Sequence, residues 1–256
     1  MYFHGKVTAA CFSPTGGTRA YVEAVAGAMS SAPEAWDLTR PETRRQPRSF
    51  GAEEVLVLGV PVYYGRVPEV GDLLAGLTGT RTPAVLLAVY GNRAIDDALL
   101  ELADLCDARG FRVAAAGEFI APHTFSEHIG AGRPSGADLE AARALGRGAA
   151  DKLARPDWSS PALPGKRPYR SFQRAPFYPE GDDRCVGCGA CVRTCPVEAI
   201  APQTPVRTDP ERCLRCLACV RACPTGSRAV RSEAFLATRS RLEGALKEPR
   251  QPALYF

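Results

Sequence analysis

The chain has 256 residues, 45% hydrophobic and 23% charged, with 24 Gly, 22 Pro, ten Cys and a formal net charge of +4. At this length folding buries roughly 70–75% of the unfolded surface without disulfides, and the composition excludes wholesale disorder, a coiled coil and a collagen-like chain. Charge is unevenly spread: residues 1–160 carry 16 Lys/Arg against 19 Asp/Glu, and residues 161–256 carry 16 against 9 along with eight of the cysteines. Two composition classes in one chain imply two domains.

The opening Met-Tyr-Phe-His-Gly-Lys-Val lacks the charged start and apolar stretch of a secretory signal. The apolar run from Val55 to Tyr64 is broken by Gly59 and Pro61, far short of the ~20 residues of a membrane span. The expectation is a cytoplasmic chain. Val7–Phe12 reads as a strand. Gly17–Ser30 reads as a helix, with Tyr21, Val25 and Met29 on one face. A short strand is expected near Ala35–Leu38. Val55–Val60 and Ala84–Tyr90 are continuous aliphatic runs, as in parallel strands covered on both faces. Ile95, Leu99, Leu102 and Cys106 form one helical stripe, Arg112–Ala116 a last strand, and Leu139, Ala142, Ala149 and Leu153 a second stripe. The order β-α-β-β-α-β-α-β-α predicts an α/β fold, a doubly wound parallel sheet over residues 1–155. Six prolines between Arg155 and Glu180 exclude a helix or central strand, so 156–180 reads as an extended linker. Residues 181–230 form a compact cysteine segment, and 231–256 a helical tail whose helix, Arg231–Lys247, stops at Pro249.

The cysteines repeat. Cys185, Cys188, Cys191, Cys195 and Pro196 recur 28 residues later as Cys213, Cys216, Cys219, Cys223 and Pro224, each half reading C-x2-C-x2-C-x3-C-P. Three thiolates two residues apart wrap three iron corners of a cubane, and the fourth, before its proline, turns to the other cluster. That assigns Cys185, Cys188, Cys191 and Cys223 to one [4Fe–4S] cluster and Cys213, Cys216, Cys219 and Cys195 to a second. A disulfide framework suits a small secreted domain, whereas here a large domain comes first. A zinc ribbon from Cys191, Cys195, Cys213 and Cys216 strands four thiols. Residues 181–230 resemble a bacterial-type two-cluster ferredoxin, of small α+β ferredoxin-like fold, with all eight cysteines and both prolines in place. The resemblance implies single-electron transfer.

After the first strand, Ser13-Pro14-Thr15-Gly16-Gly17-Thr18 alternates hydroxyls with glycines where a strand turns into a helix. Converging amides, hydroxyls and a helix N-terminus favour an anion. Neither a G-x-G-x-x-G fingerprint nor a Walker loop is present. Two more strand ends, Gly59–Arg66 and Ala88–Arg93, carry tyrosines and glycines where open α/β sheets bind ligands. Together the three loops make residues 1–155 resemble flavodoxins. The resemblance implies FMN, its phosphate on Ser13, Thr15, Gly16, Gly17 and Thr18. It places Pro61, Val62, Tyr63, Tyr64 and Gly65 on one side of the ring and Tyr90, Gly91 and Asn92 on the other. Neither ring loop has the tryptophan often found in that family. His4, His123 and His128 show no paired ligand spacing, and an approach of His123, after the last strand, to the ring's rim is the minor reading.

The whole chain resembles flavodoxin–ferredoxin fusion proteins. This implies an electron relay between FMN and two [4Fe–4S] clusters and on to protein donors and acceptors. Two other functions compete: an FMN-dependent reductase of a small substrate, for which no general acid or nucleophile stands out, and a redox-sensing binding module. Cys11 and Cys106 read as small core residues. The arginines of 207–231 lack interleaved aromatics and read as a solvated or partner-docking face rather than a nucleic-acid site. Each oxidised cluster brings −2 with its thiolates and an FMN phosphate up to about −2, so the loaded chain is not basic.

Overall fold

The computed structural model describes residues 3–256. Its centre is a sheet of consecutive apolar runs: β1 (Val7–Cys11), β4 (Val55–Pro61), β6 (Thr82–Tyr90) and β7 (Phe111–Ile120), with β2 (Glu34–Asp37) at one edge. All nine residues of β6 are buried, as a strand covered on both faces requires. The order is β2-β1-β4-β6-β7 with all neighbours parallel. Counted within the sheet this is 2-1-3-4-5, the flavodoxin order.

Helices α1 (Gly17–Met29) and α4 (Gly136–Leu153) cover one face, and α3 (Ala98–Asp107) the other. Tyr21, Val22, Val25, Ala26 and Met29 make the buried face of α1. A side chain at Gly146 would meet the Val25 carbonyl at 2.4 Å, so the close approach of α4 to α1 requires glycine there. Ser135 and Asp138 cap α4 reciprocally.

The structure departs from expectation in two places. The expected order put a helix between the strands now numbered β4 and β6. Instead a turn leads into β5 (Leu77–Gly79), which pairs with β3 (Arg48–Phe50) in a separate two-stranded sheet. Pro61, Gly65, Pro68, Gly71, Gly76 and Gly79 interrupt any helical run in this crossover. The C-terminal segment also does more than extend as a helix. After α7 (Glu233–Ala245), β8 (Ala253–Tyr255) returns to the sheet and pairs antiparallel with β7.

The proline-rich stretch has no helix or strand, yet it is strapped to α3. Asp97 accepts from the amides of Lys166 (2.9 Å) and Arg170 (2.8 Å), and Asp104 binds Arg167 and Tyr169. The cysteine segment holds only two short helices, α5 (Ala190–Thr194) and α6 (Ala218–Arg221), one per repeat. It is packed onto the α/β domain: Leu214, Cys216 and Ala218 belong to the same hydrophobic core as Leu58, Leu86 and Leu99.

Candidate redox site

The eight repeat cysteines are free thiols in two unlike environments. Residues 213–219 are buried throughout, whereas Cys188 is exposed and Cys185 and Cys223 are half-buried. Cys213, Cys216, Cys219 and Cys195 lie near enough for their charges to interact. Burial raises the first three thiols, Cys219 to about 11, and repulsion from Cys195 adds to each. Three buried thiols and the half-buried Cys195, in mutual repulsion, ionise together only with a cation among them. Cys195, from the first repeat, thus stands near the three cysteines of the second. The amides of Ala199 and Arg215 donate to the Cys195 and Cys213 sulfurs at 3.2 and 3.4 Å. In the other set Arg184, next to Cys185, has its pKa raised chiefly by its hydrogen bond to Asp182, and Cys223 is near enough to add a smaller push. Among the described residues no three His, Cys, Asp or Glu side chains gather tightly enough to share a single metal ion.

The repeats also differ in their backbone. Gly187 and Gly189 have φ of 69° and 71°. Their counterparts Arg215 and Leu217 hold the same left-handed conformation, at 60° and 54°. A non-glycine residue there costs roughly 1–2 kcal/mol. The strain at Arg215 is offset by hydrogen bonds. Its guanidinium donates to the carbonyls of Ala175 (3.1 Å), Phe177 (3.2 Å), Pro210 (2.7 Å) and Cys213.

Beyond the carboxyl ends of β4, β6 and β7 lies a cavity of about 340 Å³. It brings together Val62, Tyr63, Tyr64 and Gly65 from one expected ring loop and Tyr90 and Gly91 from the other, with His123 between strand ends. Leu214 and Arg215, between Cys213 and Cys216, form part of the same wall. Burial raises the Tyr63 and Tyr64 hydroxyls, and the neighbouring Cys216 and Cys213 add to it. Burial, then the Arg93 charge, holds His123 down at about 4, so its ring is neutral at pH 7. Its Nδ1 accepts from the Phe125 amide at 3.1 Å.

Two expected ring residues stand apart. Pro61 ends β4 in register with Val89 and does not line the cavity. The Asn92 side chain is engaged by the tail: Nδ2 donates to the carbonyls of Leu246 (3.2 Å) and Glu248 (3.0 Å), and Oδ1 accepts from the Arg250 amide (2.8 Å). The Ser13–Thr18 loop runs from β1 into α1. Gly16 caps α1 with φ 88°, the Gly17 and Thr18 amides fall in the first turn, where no helix acceptor exists, and Thr15 and Gly16 are exposed. Ser13 Oγ accepts from the Arg19 amide at 3.0 Å, leaving its proton to donate. A side chain added at Gly17 would meet Ala121, two residues before His123, at 3.1 Å, so loop and cavity occupy adjoining strand ends.

Sequence reading missed the cavity's cover. Phe125, Phe177 and Phe235 meet edge to face with centroids 5.2–5.8 Å apart, joining the loop after β7, the proline-rich stretch and α7. Thr238, Arg241 and Leu242 of α7 complete the wall. The signal available was a phenylalanine in each of three otherwise polar segments. Cys11 and Cys106 are core residues, as expected.

Residues 184–227 match the model of the 4Fe-4S dicluster domain family. Among solved structures, a flavodoxin from the domain Archaea is similar over 59% of this chain and 99% of its own, at 16% identity and a TM-score of 0.39. No curated protein matches the chain. No helix among the described residues is long and apolar enough to cross a membrane. A sheet in flavodoxin order, joined to a segment matching the dicluster family, gives the chain the architecture of a flavodoxin–ferredoxin fusion, an iron–sulfur electron-transfer protein.

Proposed function

We propose that this protein relays electrons between FMN and two [4Fe–4S] clusters, and on to protein partners docking at the exposed cluster. The flavin would be held by Ser13, Thr15, Gly16, Gly17 and Thr18 at its phosphate and by Val62–Gly65, Tyr90 and Gly91 around its ring. The clusters would sit on Cys185, Cys188, Cys191 and Cys223, and on Cys213, Cys216, Cys219 and Cys195. The observation that carries this reading is the shared wall: Leu214 and Arg215 line the tyrosine cavity and connect two cysteines of the buried set. A flavin takes up two electrons and releases them singly, which couples it to one-electron centres.

The chain's own residues then have distinct tasks. Backbone amides and hydroxyls at the start of α1 bind the phosphate without a basic side chain, since Arg19 pairs with Asp37 at 3.0 Å. Tyr63, Tyr64 and Tyr90 flank the ring, and the three phenylalanines close the cavity's far side. The proline-rich stretch, on this reading 156–180 between domains 1–155 and 181–230, fixes the separation instead of tethering loosely. Eight thiolate ligands suit a reducing compartment such as the cytoplasm.

The test is an anoxic preparation assayed for iron and flavin, followed by rapid-mixing reduction. About eight iron and one FMN per chain are expected, with flavin and cluster absorbance relaxing together after one-electron reduction. Clusters that stay reduced while the flavin stays oxidised would defeat the relay.

A further inference from the structure

The tyrosine and glycine loops at the strand ends make only part of the cavity's lining. Much of the rest comes from the loop after β7, the proline-rich stretch and α7. Phe235 is the one buried residue of α7, and Phe235, Thr238, Arg241 and Leu242 follow one another at helical spacing along the face that meets the cavity. The walls are held from both sides. Arg44 of α2 (Pro41–Arg45) donates to the Pro196 carbonyl at 2.7 Å, which fixes the cysteine segment on the α/β domain, and Asn92 holds the end of α7.

Every polar side chain around the cavity can donate a hydrogen bond, and no Asp or Glu among the described residues lines it. His123 is one of these donors: its Nδ1 accepts from the Phe125 amide, so the proton of the neutral ring sits on Nε2. Arg241 is exposed and lines the cavity, which places it at the opening. Glu243, two residues on, is engaged by Ser126 at 2.6 Å and by Arg239 at 4.0 Å. Arg93 shares Asp96 with Arg170, so one carboxylate serves two guanidiniums. Arg215 turns its Nε and Nη1 to carbonyls and lies between two cysteines whose thiolates would balance it. A full positive charge at Arg241 and a second shared by Arg93 and Arg170 thus remain unbalanced.

Resting on the flavin reading, we infer that the cavity's mouth takes a second ligand beside the ring: a small planar organic carboxylate, its charge on Arg241 and Arg93 and its body against Phe125 and Phe177. The oxidised flavin ring carries no charge, and neutral donors such as tyrosine hydroxyls and main-chain amides satisfy its acceptors. Guanidiniums without carboxylates call instead for a full negative charge, whose two oxygens their fork matches. Walls of one sign gather the opposite charge from solution, and the edge-to-face phenylalanines offer an apolar bed for a flat ring.

The experiment titrates oxidised, anoxic holoprotein with sodium benzoate while the flavin absorbance bands are followed, flavin having been counted in every sample. Benzamide, the uncharged isostere, and sodium chloride at equal ionic strength are the controls. Benzoate should shift the bands saturably, benzamide should bind about tenfold more weakly or worse, and chloride should leave the bands in place. Arg241→Gln should weaken benzoate by about tenfold or more, and Arg241→Lys, which keeps the charge, by less. Arg241 is exposed, so neither variant should change the melting temperature. One flavin per chain with no saturable shift, an equal response to benzamide, or a benzoate affinity untouched by Arg241→Gln overturns the inference and leaves the relay standing. Loss of flavin from Arg241→Gln overturns it as well, because the guanidinium would then serve the ring. A parent protein that binds no flavin overturns the flavin reading and this inference with it.

Discussion

The two cysteine repeats share a spacing and a backbone path, yet one faces solvent and the other lies inside the molecule. Val186, between Cys185 and Cys188, is 69% exposed, and its counterpart Leu214 is 3% exposed. The left-handed turns are made by glycine in the exposed copy and by Arg215 and Leu217 in the buried one. Repetition fixes ligand geometry, and departures from it mark where one copy took on a second task. In the buried copy the strained residues carry side chains that a glycine cannot offer: a guanidinium binding the proline-rich stretch, and a leucine in the interior.

The comparison breaks most visibly at the ligands. Cys216→Ala should remove the buried cluster and open the shared core, costing several kcal/mol and lowering the melting temperature of the whole protein. Cys188→Ala should lose about four iron while the flavin and the α/β domain persist. Equal losses of flavin and melting temperature in both variants would mean the repeats are not structurally distinct.

Arg215→Gly probes strain against hydrogen bonding. It relieves roughly 1–2 kcal/mol of backbone strain but forfeits guanidinium bonds worth about 1 kcal/mol or more each. A net loss of about 2–3 kcal/mol in chemical denaturation is expected, with faster flavin release. Gly187→Ala, at an open position of positive φ, should cost only about 1 kcal/mol and leave flavin release unchanged.

The next effect depends on pH. The His123 pKa, held at about 4 by burial and then Arg93, lies below its unfolded value. The neutral ring therefore contributes stability above pH 6.5 that is lost as pH falls toward 4, roughly 2 kcal/mol once partial exposure is allowed for. His123→Phe should flatten that window in thermal melts recorded between pH 4 and 7. The most local effect comes last: Asn92→Ala should cost about 1–2 kcal/mol and raise amide exchange in residues 246–256 without altering iron content.

Much of this was legible in the sequence. β1, α1, β4 and β6 are long, regular apolar patterns, and the eight cysteines sit at spacings iron–sulfur chemistry explains. β8 was not, because Ala253-Leu254-Tyr255 is too short to show alternation and pairs with residues more than 130 positions earlier. Asn92 read as a ring residue because strand-end position alone cannot show that the tail engages its side chain. The burial of one repeat was equally hidden. Leu214 and Arg215 look like ordinary replacements of Val186 and Gly187 until the surface they meet is known.

The return of β8 to the sheet has a consequence for how the chain is made. β7 ends at Ile120, and its partner strand begins only at Ala253. At about 5–20 residues per second of synthesis, that flank of β7 stays bare for roughly 7–27 s. An unpaired edge in a nascent α/β domain is a template for wrong pairing. The cysteine segment is meanwhile translated between two halves of a sheet it does not belong to. Iron acquisition and closure of the sheet thus become events in one sequence, and a ribosome stalled within the cysteine segment would release a chain with an open edge.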